Sequence, residues 1–431
     1  MAIPQANPRK FSRSVSIIGV GCTPFKDMYE NPETEGMSEQ DMFSYAALSA
    51  MEDAHVHPHD VDFFYHGTAH PYFIGDCMTP NMQVADWVGM RLKGSAHHSE
   101  ACCTGYVALE QAVMAVASGA YDIVLSACCD MASTLPVKGK PSCFRQEFPF
   151  SMLLQDLDSV YERAYTRSFS GGAGVNADDW IQNYAQTYGL TDEQVDLALN
   201  SIAYSSRRAA VLNPLAYHTE SYDELAQKAG LANGMEFLSS QSTNPRMSQY
   251  LRTSGIETKT DGAAAVIVCP TEMAKEYCDR PIEVLGIGAS TQDACHPHVE
   301  KNATYEAARQ VYGQTGVTPD ELDLFLTNDF LISSQLTSAE SVGYLPKGHG
   351  WEVVQNGGTA FDGDKPINTN GGRCHWGHAH GSSGLADIFE AVHQMQGRAG
   401  ATQVKKLPAT TMVRGFGGGQ NVRAIILRTV D

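Results

Sequence analysis

Cys102 stands in Ser-Glu-Ala-Cys-Cys-Thr-Gly (99–105), immediately ahead of a stretch whose apolar residues, Val107, Leu109, Ala112, Val113 and Val116, recur at helical spacing. Ala117-Ser118-Gly119 ends that helix, and Ile123-Val124-Leu125 reads as a buried strand. A cysteine at a helix N-terminus faces open backbone N–H groups and the positive end of the helix dipole, and both favour thiolate over thiol. Thiolate is the attacking species, so this is where a chain would place a nucleophile for acyl transfer. The competing reading is that Cys102 and Cys103 are small buried residues filling core.

Three further turns carry reactive side chains. His375-Trp-Gly-His-Ala-His-Gly (375–381) is glycine-rich, which lets backbone approach a ligand closely. His378 and His380 alternate, so in an extended segment they point to opposite sides. His375, His378 and His380 are crowded enough to suggest a metal, but no carboxylate or cysteine completes a familiar ligand set, and no metal is expected. Either histidine alone could equally be a hydrogen-bonded core residue. In Thr327-Asn328-Asp329-Phe330, at a strand end, Asn328 can position a water and Asp329 can fix it, although plain turn chemistry accounts for the same residues. Arg414-Gly-Phe-Gly-Gly-Gly (414–419) can present backbone N–H groups to an oxyanion or phosphate, or simply turn tightly before the last strand.

These turns need a large scaffold, and the composition supplies one. The chain has 431 residues, 43% hydrophobic and 18% charged, with core enough for two to three domain-sized units. Net charge is −19 and nothing basic is clustered, so nucleic acid and anionic membrane surfaces are poor partners. An anionic cofactor can still be held by local arginines and helix N-termini. The eleven cysteines include two adjacent pairs and no Cys-x-x-Cys. The N-terminus lacks an apolar leader core, and no apolar run is long enough to span a bilayer. The expectation is a reduced, cytoplasmic protein with free thiols.

Two similar α/β halves surround an insertion. In the first half, residues 15–21 and 61–65 read as strands, residues 42–54 as a helix, and the Cys102 unit completes the set. Residues from about 131 to 255 differ. They carry Pro136, Pro141 and Pro149, a Gly-Gly-Ala-Gly turn at 171–174, and polar helices at 179–188 and 192–211, the second capped by Thr191. In the second half, 261–268, 282–288, 322–330 and 423–427 hold strands, and 303–315 and 385–396 read as helices. Each half has a glycine-containing turn with reactive side chains opening a helix. A duplicated, mostly buried sheet with helices on both faces produces that order. The expected division is 1–130, 131–255 and 256–431.

Together, in this order, these segments resemble the thiolase superfamily over essentially the whole chain. Cys102-Cys103-Thr104-Gly105 resembles the nucleophile motif Cys-x-Ser/Thr-Gly, and Asn328-Asp329 the start of Asn-Glu-Ala-Phe. Asn370-Gly371-Gly372, followed by Gly377-His378-x-x-Gly381-x-Ser383-Gly384, resembles the Gly-His-Pro-x-Gly-x-Ser/Thr-Gly motif. Asp261-Gly-Ala-Ala-Ala-Val and Tyr188–Asp196 match further family segments. Asn213-Pro214 and Gly-Val-Gly-Cys-Thr-Pro-Phe (19–25) favour the sterol-carrier/lipid-transfer subgroup. Two departures stand out. The second active-site cysteine of Cys-x-Gly-Gly-Gly is replaced by Gly415, and the proline of Gly-His-Pro by Ala379, followed by His380.

The resemblance implies an α/β thiolase fold, layered αβαβα, with an inserted helical loop region. It implies a thiolase-type acyltransferase with Cys102 as nucleophile. His378 and an Asn328-held water would stabilise the enolate oxygen, and backbone N–H groups of Cys102 and Gly417 the tetrahedral oxyanion. With the second cysteine gone, His380 is the preferred proton shuttle and Cys374 the fallback. Acyl-CoA and coenzyme A would be substrates, with no bound cofactor. The acyl group would be unusual, branched or aromatic, such as benzoylsuccinyl-CoA. Acyl transfer to a carbon nucleophile, as in acetylphloroglucinol-type enzymes, and a non-catalytic subunit are the alternatives. The subgroup further implies a homodimeric core and a separate zinc-binding OB-fold subunit.

Overall fold

The computed structural model describes residues 11–28, 37–69, 79–131, 134–136, 145–147, 169–292, 299–417 and 421–430, and only the backbone of 134–136, 145–147 and 169–177. The apolar run at 15–22 becomes β1 (Val15–Cys22), buried along its whole length, as befits a strand with helices on both faces. The first half continues with α1 (Glu39–Asp53), β2 (Phe63–Gly67), α2 (Pro80–Ala85), β3 (Gly94–His98), α3 (Thr104–Ala117) and β4 (Val124–Met131). The insertion carries β5 (Thr134–Pro136), β6 (Arg145–Glu147), α4 (Phe169–Tyr188), α5 (Asp192–Leu212), α6 (Tyr222–Lys228) and α7 (Gly234–Ser239). Then come β7 (Asp261–Pro270), α8 (Thr271–Ala274), β8 (Ile282–Thr291), α9 (Ala303–Thr315), β9 (Leu324–Thr327) and α10 (Ser333–Ser341). The chain closes with α11 (Gly350–Gln355), α12 (Gly372–His375), α13 (Ser383–Gln396), β10 (Thr410–Gly417) and β11 (Asn421–Thr429).

The main sheet runs β3-β2-β4-β7-β1-β8-β11-β10-β9. Its two parts touch at a narrow seam, where β1 meets β8 through Ser16↔Glu283 and Ile17↔Ile282 alone. On either side the pattern repeats. β2–β4 and β9–β10 pair parallel, while β4–β7–β1 and β10–β11–β8 pair antiparallel. Three apolar clusters then define five layers. One places α1 on the outer face of β1, β4 and β7. A second places α9 and α10 on the outer face of β8, β10 and β11. The third joins α3 and α13 between the half-sheets. The expected α/β architecture of two similar halves, layered αβαβα with an inserted helical region, is the observed one.

Several boundaries differ. Residues 414–417 are the end of β10, not a turn, because their alternate positions pack against α3 while their backbone pairs with β11. The Gly171–Gly174 turn is instead part of α4, since a helix anchored downstream tolerates glycine near its start. Strand β3 was not anticipated: Gly94-Ser-Ala-His-His has weak strand propensity and is held by parallel pairing to β2. Pro141, Pro149, Gly418 and Gly419 lie outside the described residues, as do Cys77, Cys143 and Cys295. The eight described cysteines are all thiols. No helix among the described residues is long and apolar enough to cross a membrane.

Candidate active site

The Cys102 turn is tied by Thr104. Its hydroxyl donates to the Ala101 carbonyl at 2.7 Å and accepts from the Glu100 N–H at 2.8 Å. Ala101 is driven to φ +48°, a conformation that costs energy in a non-glycine residue and is held here by the surrounding turn. Helix α3 starts at Thr104 with Cys103 as its N-cap, so Cys102 stands two residues ahead of the helix rather than in its first turn. Cys102 is half-buried, whereas Cys103 is wholly buried. Burial pushes the Cys103 thiol up to about 12, leaving it protonated and inert. The accessible member of the pair is therefore Cys102.

The histidine turn docks against this one through glycines. A Cβ at Gly105 would lie 2.7 Å from the Leu385 amide nitrogen, and one at Gly384 would lie 2.7 Å from the Tyr106 nitrogen. Only bare backbone lets the first turns of α3 and α13 approach so closely. Asp130, at the end of β4, accepts hydrogen bonds from the N–H groups of Gly381 (2.5 Å) and Ala69 (3.0 Å). His378 is strung between Thr258 and Thr260 by backbone bonds of 2.7 and 3.2 Å. Its Nδ1 lies 2.8 Å from Ser383 Oγ, which orients the ring.

His378 and His380 do not point apart. The segment is a turn, and both rings meet the carboxylate of Glu257. His378 Nε2 lies 3.3 Å from Oε2 and His380 Nε2 lies 3.3 Å from Oε1. The rings are edge-to-face with centroids 4.7 Å apart. All three side chains are at most 1% exposed. Their ligand atoms lie within 4.8 Å of one another, close enough to share a cation. His375 is elsewhere: its Nε2 lies 2.9 Å from Tyr222 Oη, beside His218. Glu257 is the residue that reading the sequence missed. It lies 121 positions from the nearer histidine, and only the pairing of 258–260 with His378 delivers it.

Asn328 is fully buried and its carboxamide is engaged. Oδ1 accepts from the Phe330 N–H at 3.1 Å, and Nδ2 donates to the Phe416 carbonyl at 3.3 Å. Turn chemistry thus accounts for part of this residue, and Asn328 clasps the end of β10. There Gly417 abuts the Cys102 turn. A Cβ at Gly417 would lie 2.5 Å from the Cys103 nitrogen and 2.8 Å from the Glu100 carbonyl oxygen. Asp329 caps α12, accepting from the Arg373 N–H at 2.5 Å and from Gln335 Nε2 at 2.7 Å. Burial raises its carboxyl to about 6. Cys374 is buried and donates to the Asp329 carbonyl at 3.1 Å, and burial drives its thiol far above the ordinary range.

Gly415 stands where the resemblance places a second cysteine, and the space beside it is filled. A Cβ there would lie 2.4–2.9 Å from three ring carbons of Tyr106. Tyr106 is fully buried and donates to Asp387 Oδ2 at 2.5 Å, and Asp387 Oδ1 accepts from Arg373 Nη2 at 2.5 Å. Four loops from both halves thus converge on the N-terminal ends of α3 and α13. They set the Cys102 turn against Gly417 and against the glycines that follow His378, with Asn328 holding the end of β10.

Residues 289–429 match the family model described as thiolase C-terminal domain-like. The acetyl-CoA acetyltransferase of Methanothermobacter thermautotrophicus is 30% identical over 412 residues, covering 94% of this chain and 97% of that protein. Subunit BbsB of the benzoylsuccinyl-CoA thiolase of Thauera aromatica is 26% identical, covering 96% and 97%. Among solved structures, the Ltp2-ChsH2(DUF35) aldolase superposes with a TM-score of 0.73 at 21% identity, covering 96% and 97%. The chain is an enzyme of the thiolase family.

Proposed function

We propose that the protein is a thiolase-type acyltransferase that passes the acyl group of a β-ketoacyl-CoA to coenzyme A through a thioester on Cys102. The observation that carries the reading is one accessible thiol, Cys102, on a turn that packs against Gly417 and, through Gly105, against the glycines that follow His378. Cys102 thiolate attacks the ketone carbon. The tetrahedral oxyanion is held by the backbone N–H groups of Cys102 and Gly417. An acyl-CoA enolate leaves, with its oxygen facing His378 and an Asn328-held water, and takes a proton from His380. Coenzyme A then attacks the thioester and returns the proton. The likeness to BbsB favours a branched or aromatic acyl group.

A second reading has a specific observation behind it. With Gly415 and Tyr106 where the second cysteine would reach, acyl transfer to a carbon nucleophile needs only the first half of this chemistry. The likeness to an aldolase that is paired with a DUF35 protein supports a separate zinc-binding OB-fold subunit. The edge strand β3, with Met82, Trp87 and Leu92 exposed nearby at 70%, 55% and 96%, supports burial of that edge against a second copy of the chain.

The test is peptide mass spectrometry after incubation with acetoacetyl-CoA. An acetyl adduct on Cys102, absent in Cys102→Ser, is expected, together with acetyl-CoA release when coenzyme A is added. An adduct on Cys103, or full turnover by Cys102→Ser, overturns the assignment. Acetylation of Cys102 by acetyl-CoA, with no cleavage of acetoacetyl-CoA, selects the second reading.

A further inference from the structure

Helix α5 carries Arg207 into the wall of a cavity of about 400 Å³, which it shares with His218, Tyr222, Glu257, Thr258 and His375. The cavity adjoins the His378 turn. The Thr258 carbonyl accepts from the His378 N–H at 2.7 Å, and Glu257 Oε2 lies 3.3 Å from His378 Nε2. Arg207 is 8% exposed. Its Nε donates to the Glu220 carbonyl at 2.6 Å, and its guanidinium carbon sits 5.1 Å from the centre of the Tyr222 ring. The Glu220 carboxylate is bonded to Lys228 instead. Among the described residues no carboxylate pairs with Arg207, and neither Nη has a protein acceptor. The histidines of the wall add no charge: burial pushes His218 down to about 3 and His375 far below the ordinary range. They are also engaged, His218 Nε2 at 2.8 Å from Thr258 Oγ1 and His375 Nε2 at 2.9 Å from Tyr222 Oη. Glu257 directs its two oxygens at the His378 and His380 rings. Arg207 is thus a buried cation on a cavity wall, with no anion of the chain to match it.

A guanidinium taken out of water is costly to leave without an anion. Its planar fork fits a carboxylate through two parallel N–H···O bonds. We propose that Arg207 binds a free carboxylate on the substrate, so that the cavity takes the carboxylate-bearing chain of a dicarboxylic acyl-CoA. This rests on the acyl-CoA reading above, in which the acyl-CoA enolate faces His378, and it names the class of chain that the neighbouring cavity admits. The phosphates of coenzyme A offer a guanidinium an anion too. They carry several charges, whereas this wall has one cation and also holds the Glu257 carboxylate. A single carboxylate matches Arg207 better.

The experiment uses the full chain carrying Cys102→Ala, so that no thioester forms, and calorimetric titration with two matched pairs of ligands. These are succinyl-CoA against butyryl-CoA and glutaryl-CoA against valeryl-CoA, which differ by a terminal carboxylate in place of a methyl. In at least one pair the carboxylated member is expected to bind about 10–100-fold more tightly, the worth of hydrogen bonds between charged groups. Arg207→Met should abolish that preference while weakening the methyl-ended ligands far less. Arg207→Lys, a cation without the fork, should keep part of it. Should Arg207→Met fail to fold, as read by circular dichroism, the pairs decide with Arg207 in place, and the preference must fall in Arg207→Lys. Equal affinities within both pairs, or a preference that survives Arg207→Met, overturn the proposal. An equal loss for all four ligands and for coenzyme A in Arg207→Met overturns it as well, and assigns Arg207 to a phosphate of coenzyme A. Thiolysis of acetoacetyl-CoA by wild type is measured alongside. Cleavage without a carboxylate preference refutes this inference and leaves the proposed function standing. A preference that depends on Arg207, without cleavage, does the reverse.

Discussion

Restoring the missing cysteine should damage this protein rather than improve it. In Gly415→Cys the new Cβ falls 2.4 Å from Tyr106 Cδ2 and 2.5 Å from Cγ, about 1 Å inside ordinary contact. The ring has no easy retreat. Gly384 backs onto it from α13, a Cβ there lying 2.8 Å from Cδ2, and the hydroxyl is bonded to Asp387 at 2.5 Å. Overpacking a tight core costs about 1–3 kcal/mol, and a clash with a pinned ring belongs at the upper end. For a chain of this size that lowers the melting temperature on the order of 5 °C. Thermal melting and acetoacetyl-CoA thiolysis should therefore both fall in Gly415→Cys. Tyr106→Phe/Gly415→Cys should be no better, since the ring remains. Tyr106→Ala/Gly415→Cys should make room for the thiol, although removing a buried aromatic costs about 3–5 kcal/mol in its own right. A Gly415→Cys protein that melts like wild type and cleaves faster would refute the reasoning.

Two other perturbations test the supports of the site. Asp329 is raised to about 6 by burial. A carboxyl raised on folding stabilises the native state below its unfolded value and loses that contribution as pH climbs through the folded one. The stability of wild type relative to Asp329→Asn should thus decline between about pH 4 and pH 6, by on the order of 3 kcal/mol at most; urea titrations across that range would show it. Thr104→Val leaves the Ala101 carbonyl and the Glu100 N–H without their hydroxyl partner, costing about 1–3 kcal/mol. Acetylation of Cys102 should slow in that variant while the fold persists by circular dichroism.

The sequence announced most of the elements and the turns that matter. Apolar runs such as 15–22 and 261–268 can only be buried strands, and the spacing after Cys102 can only be a helix. What it hid was long-range. The Tyr106 ring beside Gly415 joins α3 to the end of β10, and no local pattern foretells it. Glu257 sits in a polar stretch, Ile-Glu-Thr-Lys-Thr, that reads as a loop. The backbone bridge between Lys259 and His378 turns it into part of the site. The alternation that set His378 and His380 apart assumed extended backbone. Gly377, at φ +130°, breaks that assumption.

The narrow seam at Ser16↔Glu283 and Ile17↔Ile282 bears on how the enzyme comes into being. Cys102 belongs to one half and His378 to the other, and their register is held by β7, which pairs with β1 and β4 and leads into the 258–260 segment bonded to His378. It is held as well by α3 against α13, contacts between residues nearly three hundred positions apart. Such contacts are entropically costly to close and form late. Secondary structure should return early on refolding, while the capacity to acetylate Cys102 should lag. Activity is then a gauge of whether the halves have docked, and a ligand that bridges both turns would act as a clasp on the whole chain.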